Sequence, residues 1–283
     1  MAKLLDGRVV AKALNKQTTT QIESLYEVGI TPTLAIMRAD ENPSSIQYEK
    51  TAANYMQKMG IATQHIVLKD EISETKFLQK LEQLNTNPTI HGILVMQPLP
   101  RTISLARVSE SIAPMKDIDG MHPLNLGHIM SGNKKSHLPS TVKAVLELLR
   151  YYEINVAKKD ICVIGKSNTV GKPLSVLLLN ERATVTTCHT GTKNLKQYTQ
   201  VADILISAAG NIGLITKKHV EKDAVVIDVG FSFKDNKAYG DVQFDEVAEI
   251  ASAITPVPGG VGSVTTAALA QQVANAAQWL QEK

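Results

Sequence analysis

Ile161-Cys162-Val163-Ile164-Gly165-Lys166-Ser167-Asn168-Thr169-Val170-Gly171-Lys172-Pro173 is the stretch that decides the fold. Its four consecutive apolar residues before a glycine have the length and composition of a strand buried on both faces, the pattern of a parallel sheet. The glycine-spaced turn then opens a helix predicted over 170–180. Strand, turn and helix in that order form the start of a β-α-β unit. In such a turn, backbone N–H groups and the helix N-terminus can face a pyrophosphate, whose charge the helix dipole favours. The spacing departs from G-x-G-x-x-G, because Ser167 stands at the second glycine. A tight structural turn is therefore the alternative reading.

The same alternation extends in both directions. Strands are predicted over 33–37, 64–68, 92–95, 183–187, 203–207 and 225–229, and helices over 44–59, 74–84 and 140–151. An Ala-rich amphipathic helix over 263–281 ends the chain. The stretch 113–139 reads as loop-rich. Two α/β domains therefore meet near residue 139, the second Rossmann-like, and the cleft between two such domains is a common ligand site.

Composition bounds the function. The chain has 283 residues, 43% hydrophobic and 20% charged, enough to bury a core and too apolar for disorder. Thirty Lys and Arg against 27 Asp and Glu give a net charge of +3. These charges are scattered rather than striped, so no nucleic-acid partner is expected. No apolar run approaches the roughly 20 residues of a bilayer helix. The segment Met1-Ala2-Lys3-Leu4-Leu5-Asp6-Gly7-Arg8 lacks a secretory signal's apolar stretch, so a cytoplasmic location away from membranes is expected. Cys162 and Cys188 have neither a C-x-x-C nor zinc-ligand spacing and read as core residues, with no metal site.

The segment after the second strand of the later domain bears on the cofactor. An acidic residue there would hold the 2′-hydroxyl of NAD, but Thr187-Cys188-His189-Thr190-Gly191-Thr192 has none. Lys166, with Thr190 or Thr192, can instead meet a 2′-phosphate, which favours NADP over NAD. The competing reading is that Lys166 is a solvated surface charge.

Four separated segments resemble one family, the bifunctional methylenetetrahydrofolate dehydrogenase/cyclohydrolases. They are Gly165 through Pro173, Lys116-Asp117-Ile118-Asp119-Gly120-Met121-His122-Pro123, Gly92-Ile93-Leu94-Val95-Met96-Gln97-Pro98-Leu99-Pro100, and Ile254-Thr255-Pro256-Val257-Pro258-Gly259-Gly260-Val261-Gly262. The likeness runs from Asp6-Gly7 to the last helix. It implies a folate-binding catalytic domain over 1–139, with helix 265–283 packing back on it, and an NADP-binding domain over 140–264. It also implies tetrahydrofolate substrates and a homodimer formed through the nucleotide domain.

Roles follow from the resemblance position by position. Asp119 lies at the family's pterin-binding aspartate, where a carboxylate suits the paired N–H donors of an amino-pyrimidine edge. Tyr48 matches the tyrosine set against the folate ring system. Pro256, Val257, Pro258, Gly259 and Gly260 match a loop between nicotinamide and folate. Gly165, Lys166, Ser167, Val170, Gly171, Thr190 and Phe231 fall at cofactor-binding positions. Thr141 sits in the family's hinge motif, whose final proline is here Val142. The motif from Pro258 to Thr265 likewise carries Ser263-Val264 in place of Pro-Met.

One departure touches the chemistry. The family's Y-x-x-x-K places its catalytic lysine at Ala52, and the glutamine that normally holds this lysine falls at Met96. Gln97 is adjacent, but neighbouring strand residues face opposite ways. Lys50 is two residues from Tyr48, off the helical face that Tyr48 and Ala52 share. The expectation is NADP-dependent oxidation of 5,10-methylenetetrahydrofolate to 5,10-methenyltetrahydrofolate, with the cyclohydrolase step to 10-formyltetrahydrofolate weak or lost. Two other readings stay open. One is a complete bifunctional enzyme in which His122, His65 or His91 supplies the base. The other is a non-catalytic paralogue that binds folate or nucleotide.

Overall fold

The computed structural model describes residues 1–133, 135–235 and 237–282. In chain order the first half carries β1 (Lys3–Leu4), α1 (Gly7–Glu27), β2 (Thr33–Arg38), α2 (Pro43–Lys58), β3 (Ala62–Val67), α3 (Glu74–Thr86), β4 (Gly92–Val95), α4 (Leu105–Ser111) and α5 (Pro123–Ser131). The second half continues with α6 (Ser140–Tyr151), β5 (Asp160–Ile164), α7 (Gly171–Asn180), β6 (Thr184–Cys188), α8 (Leu195–Thr199), β7 (Ile204–Ser207) and β8 (Val225–Asp228). It closes with β9 (Ser232–Lys234), β10 (Lys237–Tyr239), α9 (Phe244–Ala248), β11 (Ala253–Ile254) and α10 (Val261–Gln281). The chain forms two compact units, one of Met1–Lys12, Ile129–Asn133 and Pro139–Thr265, the other of Ala13–His128, Lys134–Leu138 and Thr266–Lys283. Among the described residues no helix is long and apolar enough to cross a membrane.

The unit holding most of the second half is built on a six-stranded sheet ordered β1-β11-β8-β7-β5-β6, with every pairing parallel. Its inner strands β5, β7 and β8 are short, largely apolar and buried because parallel strands are covered on both faces, while the edge strands β1 and β6 are partly exposed. Cys162, Ile164, Cys188, Leu205, Val226 and Ile254 share one cluster of this core. Both cysteines are free and buried, with their sulfurs 3.8 Å apart.

The other unit carries a three-stranded parallel sheet ordered β3-β2-β4. Alternate residues of β2 and β4 serve opposite faces, as strand geometry requires. Leu34, Ile36 and Leu94 pack with Leu269 and Val273 of α10, while Ala35, Met37 and Ile93 pack with Phe77 and Leu81 of α3. Gly92 lets the chain come close: a Cβ there would lie 2.8 Å from an Ile118 methyl.

In each sheet the first α/β crossover runs one way and the next the other, so β5 lies between β6 and β7, and β2 between β3 and β4. Ligands of open α/β sheets bind outside the carboxyl ends of strands at such a reversal. The predicted strands and helices are present, with ends shifted by up to two residues. The loop-rich reading of 113–139 needs correction, because α5 lies within it. His122 Nδ1 accepts the Leu124 N–H at 2.9 Å and Pro123 opens the helix, so the turn residues were the helix start. α1 is a further helix that the periodicity did not suggest.

Candidate functional site

In the first unit the turn after β5 is set by its glycines. Gly165 has φ +130°, a region that L side chains rarely adopt, and a Cβ there would lie 2.5 Å from the Ala208 carbonyl oxygen. A Cβ on Gly171 would lie 2.0 Å from the Gly165 carbonyl oxygen. Ser167 accepts the Val170 and Gly171 N–H groups on its Oγ at 3.1 and 3.4 Å, which ties the turn to the first residue of α7. Lys166, Ser167, Asn168 and Thr169 are exposed at the start of α7, and Val170 is half-buried. Gly165 N–H donates to the Cys188 carbonyl at 2.8 Å, which sets the turn beside the end of β6. Thr190 follows that end and is exposed.

The loop 256–260 belongs to the same unit. Gly259 has φ +106° and its carbonyl accepts the Gly7 N–H at 2.8 Å. Gly260 is buried, and a Cβ on Gly7 would lie 2.0 Å from its carbonyl oxygen. Pro256 is half-buried, Pro258 exposed. Phe231 follows β8 and is 64% exposed.

In the second unit a cavity of about 300 Å³ opens at the carboxyl end of β4 and the start of α2. It is lined by Tyr48, Met96, Gln97 and Asp119, with Asn42, Ser44, Ser45, Leu94, Val95 and Pro98 completing the wall. Asn42 caps α2 by accepting the Ser44 N–H at 2.9 Å, and Pro43 takes the first helical position. That start directs Ser45, Glu49, Ala52 and Met56 to the buried face and leaves Tyr48 46% exposed. Burial and the charge of Asp119 both push the Tyr48 phenol above its ordinary value.

The Asp119 loop is fixed from several directions. Lys116, buried, donates to the Leu84 and Asn87 carbonyls at 3.1 and 2.7 Å, and burial holds its ammonium below the usual lysine range. Asp117 accepts the His122 N–H at 2.7 Å and Asn125 Nδ2 at 2.8 Å. Gln272 of α10 donates to the Ile118 carbonyl at 2.5 Å.

Ala52 is 1% exposed and lies outside the cavity lining, while Met96 is 4% exposed and lies in it. Met96 and Gln97 diverge as neighbours along a strand do: the Met96 N–H continues the ladder to the Met37 carbonyl at 2.8 Å and its side chain packs with Leu34, Ile36 and Leu94, whereas Gln97 is exposed, although both residues contribute to the cavity lining. Gln97 Nε2 lies 3.6 Å from the Met121 sulfur. Lys50 is exposed and is not part of the lining. Nor are the three histidines. His122 caps α5, His91 is buried and accepts the Thr33 N–H at 3.2 Å, and His65 is paired with Glu49. The sequence reading missed Asn42, Ser44, Ser45 and Pro98; the Asn42-Pro43 step was the signal available, as a cap followed by a first-turn proline. Among the described residues no three His, Cys, Asp or Glu are grouped to hold a metal ion.

Residues 5–119 match the tetrahydrofolate dehydrogenase/cyclohydrolase catalytic domain, and residues 139–281 match the NAD(P)-binding domain of the same family. The chain is 44% identical over 277 residues to the bifunctional protein FolD of Halalkalibacterium halodurans, covering 98% of this chain and 99% of that one. The bifunctional FolD methylenetetrahydrofolate dehydrogenase/cyclohydrolase of Campylobacter jejuni superposes with a TM-score of 0.96 at 38% identity, covering 98% of this chain and 99% of that one. The Trypanosoma brucei FolD, solved with NADP cofactor and an inhibitor, gives a TM-score of 0.94 at 31% identity, covering 100% and 99%. With two domain matches in sequence order and relatives aligned over nearly their full length, the chain belongs to the tetrahydrofolate dehydrogenase/cyclohydrolase family.

Proposed function

We propose that this chain oxidises 5,10-methylenetetrahydrofolate to 5,10-methenyltetrahydrofolate with NADP, and that its cyclohydrolase step is weak or lost. The observation that carries the reading is the cavity wall: it has Tyr48 and Asp119 but no lysine, with Ala52 and Met96 where the family resemblance puts the lysine and its glutamine.

The nucleotide turn fits the cofactor. Its glycines bring backbone close where a Cβ would collide, and its exposed residues stand at the N-terminus of a ten-residue helix. Gly165, Ser167, Val170 and Gly171 would hold the pyrophosphate, with Lys166 and Thr190 toward a 2′-phosphate. NADP supplies a nicotinamide that accepts a hydride. No carboxylate lies between Thr187 and Thr192 to favour NAD.

The two reactions make different demands on the protein. Loss of hydride from the carbon between N5 and N10 leaves a cation that the folate's own nitrogens stabilise, and no proton moves. Asp119 would accept the N–H groups of the amino-pyrimidine edge and Tyr48 would lie against the ring, so this chain's contribution is positioning. Pro256, Pro258, Gly259 and Gly260 form a stiff, closely packed loop of the nucleotide unit. Ring opening is another matter: water must lose a proton and a leaving nitrogen must gain one. Such an acid/base group contributes typically about 10²–10⁴-fold, and neither alanine nor methionine provides it.

The test measures the two steps separately on the purified chain. NADPH formation from methylenetetrahydrofolate is expected, with NADP preferred to NAD, and methenyltetrahydrofolate should disappear little faster than in buffer. Rapid enzymatic hydrolysis would restore the bifunctional reading, and binding without turnover would make the chain a non-catalytic paralogue.

A further inference from the structure

The wall of the folate cavity is tied together by a buried ion cluster outside the lining itself. Arg38 ends β2, Glu49 sits on α2 directly after Tyr48, and His65 lies on β3. Glu49 receives Arg38 Nε on one oxygen and His65 Nδ1 on the other, each at 2.6 Å. The Arg38 and Glu49 side chains are 8% and 6% exposed. The guanidinium makes a second bond, donating from Nη1 to the backbone carbonyl of Asp40. From there the connection continues into the lining. Asp40 Oδ1 accepts the Asn42 N–H at 2.7 Å, and Asn42 Oδ1 accepts the Ser44 N–H at 2.9 Å. Asn42, Ser44 and Tyr48 all line the cavity.

We propose that Arg38, Glu49 and His65 are positioning residues for the folate: one guanidinium spans the β2–α2 loop and the second turn of α2, and so fixes the spacing of Asn42 and Ser44 to Tyr48. The inference rests on the assignment of this cavity to folate. Arginine suits the task because its planar fork serves two acceptors at once, whereas a lysine offers a single charged point. A buried ion pair replaced whole by apolar residues of similar size often leaves stability unchanged, whereas removing one partner alone is costly, so positioning can be tested apart from folding.

That last property gives the test. The double variant Arg38→Met/Glu49→Leu removes both charges and keeps apolar bulk, and Arg38→Lys keeps the charge opposite Glu49 while losing the fork. Urea midpoints, KM for methylenetetrahydrofolate, KM for NADP and calorimetric binding of tetrahydrofolate are measured for each. The expected result is a near-native urea midpoint, a folate KM raised about tenfold or more, and an unchanged KM for NADP. Arg38→Lys should show the same folate defect even if the double variant fails to fold. Introduced into a Tyr48→Ala background, Arg38→Lys should add much less than it does alone, because the residue it positions is gone. Native folate KM in a folded variant, or full additivity with Tyr48→Ala, overturns the positioning role alone. Failure of the unmodified chain to bind tetrahydrofolate overturns the assignment of the cavity as well.

Discussion

Tyr48 and Asp119 come from different parts of the chain, one from the second turn of α2 and the other from the loop before α5, and meet in the wall of one cavity. Their meeting is electrostatic as well as spatial, since burial and then the Asp119 charge push the Tyr48 phenol above its ordinary value of 10.0. A phenol kept neutral beside a carboxylate leaves the carboxylate as the wall's anion. On the proposed reading, that division of labour suits a pterin edge with N–H donors.

Asp119→Asn should therefore do two things at once. Removing the charge lowers the Tyr48 phenol toward its ordinary value, although burial still keeps it above. Tyrosinate absorbance during alkaline titration, with Tyr48→Phe subtracted to isolate one of the seven tyrosines, reads this directly. Tetrahydrofolate binding should weaken about 10–100-fold, as loss of a charged hydrogen-bond acceptor implies. An unmoved titration would mean that the two side chains are not coupled.

Glu49 predicts a pH dependence of stability. Burial opposes its charge, but the hydrogen bonds from His65 and Arg38 outweigh burial and hold the carboxyl below its ordinary value of 4.5. A carboxyl depressed in the folded state contributes stability that is present above the unfolded value and is lost as pH falls through the folded one. Urea midpoints should thus fall more steeply below about pH 4.5 in the unmodified chain than in Glu49→Gln. Parallel acid limbs would contradict this.

Gly165→Ala tests the nucleotide turn. The φ of +130° and the 2.5 Å approach to the Ala208 carbonyl mean that an added methyl must move backbone. Strain of this kind costs about 1–3 kcal/mol. Dye-monitored melting should show a lower Tm, and NADP affinity should drop about tenfold or more. Tetrahydrofolate affinity, governed by the other unit, should stay within about twofold. Equal losses for both ligands would place the turn's role outside nucleotide binding.

Much of this was legible in the sequence, for identifiable reasons. Strands such as Ile161–Ile164 are buried on both faces and so are continuously apolar, and the glycines of the turn mark backbone positions that exclude a side chain. α1 was not legible because its buried stripe runs Val10, Leu14, Thr18, Ile22, Leu25, and Thr18 breaks the apolar period while satisfying its hydroxyl on the Leu14 carbonyl at 3.0 Å. The cavity wall was legible at Tyr48 and Asp119 through family motifs. Strand alternation separated Gln97 from Met96 correctly, because Met96 still bonds to the Met37 carbonyl and packs with Leu94 while Gln97 is exposed. The Arg38–Glu49–His65 cluster has no linear signature at all, since its members lie 11 and 16 residues apart and meet only when β2, α2 and β3 assemble.

The departure at Ala52 and Met96 gives the sharpest prediction. Ser45 and Ala52 lie on one buried face of α2, and Ser45 lines the cavity, so a long side chain at 52, which leans toward the helix N-terminus, is expected to run along that face toward the cavity. Met96 already lines the cavity. Ala52→Lys with Met96→Gln should place an amine beside an amide that can hold it, and burial should lower the amine's pKa toward the range useful for proton transfer. Methenyltetrahydrofolate hydrolysis should rise about 10²–10⁴-fold over the unmodified chain, while NADPH formation changes little. Ala52→Lys alone should gain less and lose more stability, because a buried ammonium without a partner is costly. If the unmodified chain already hydrolyses methenyltetrahydrofolate as fast as the double variant, the acid/base work is done elsewhere and the proposed loss of the cyclohydrolase step is wrong.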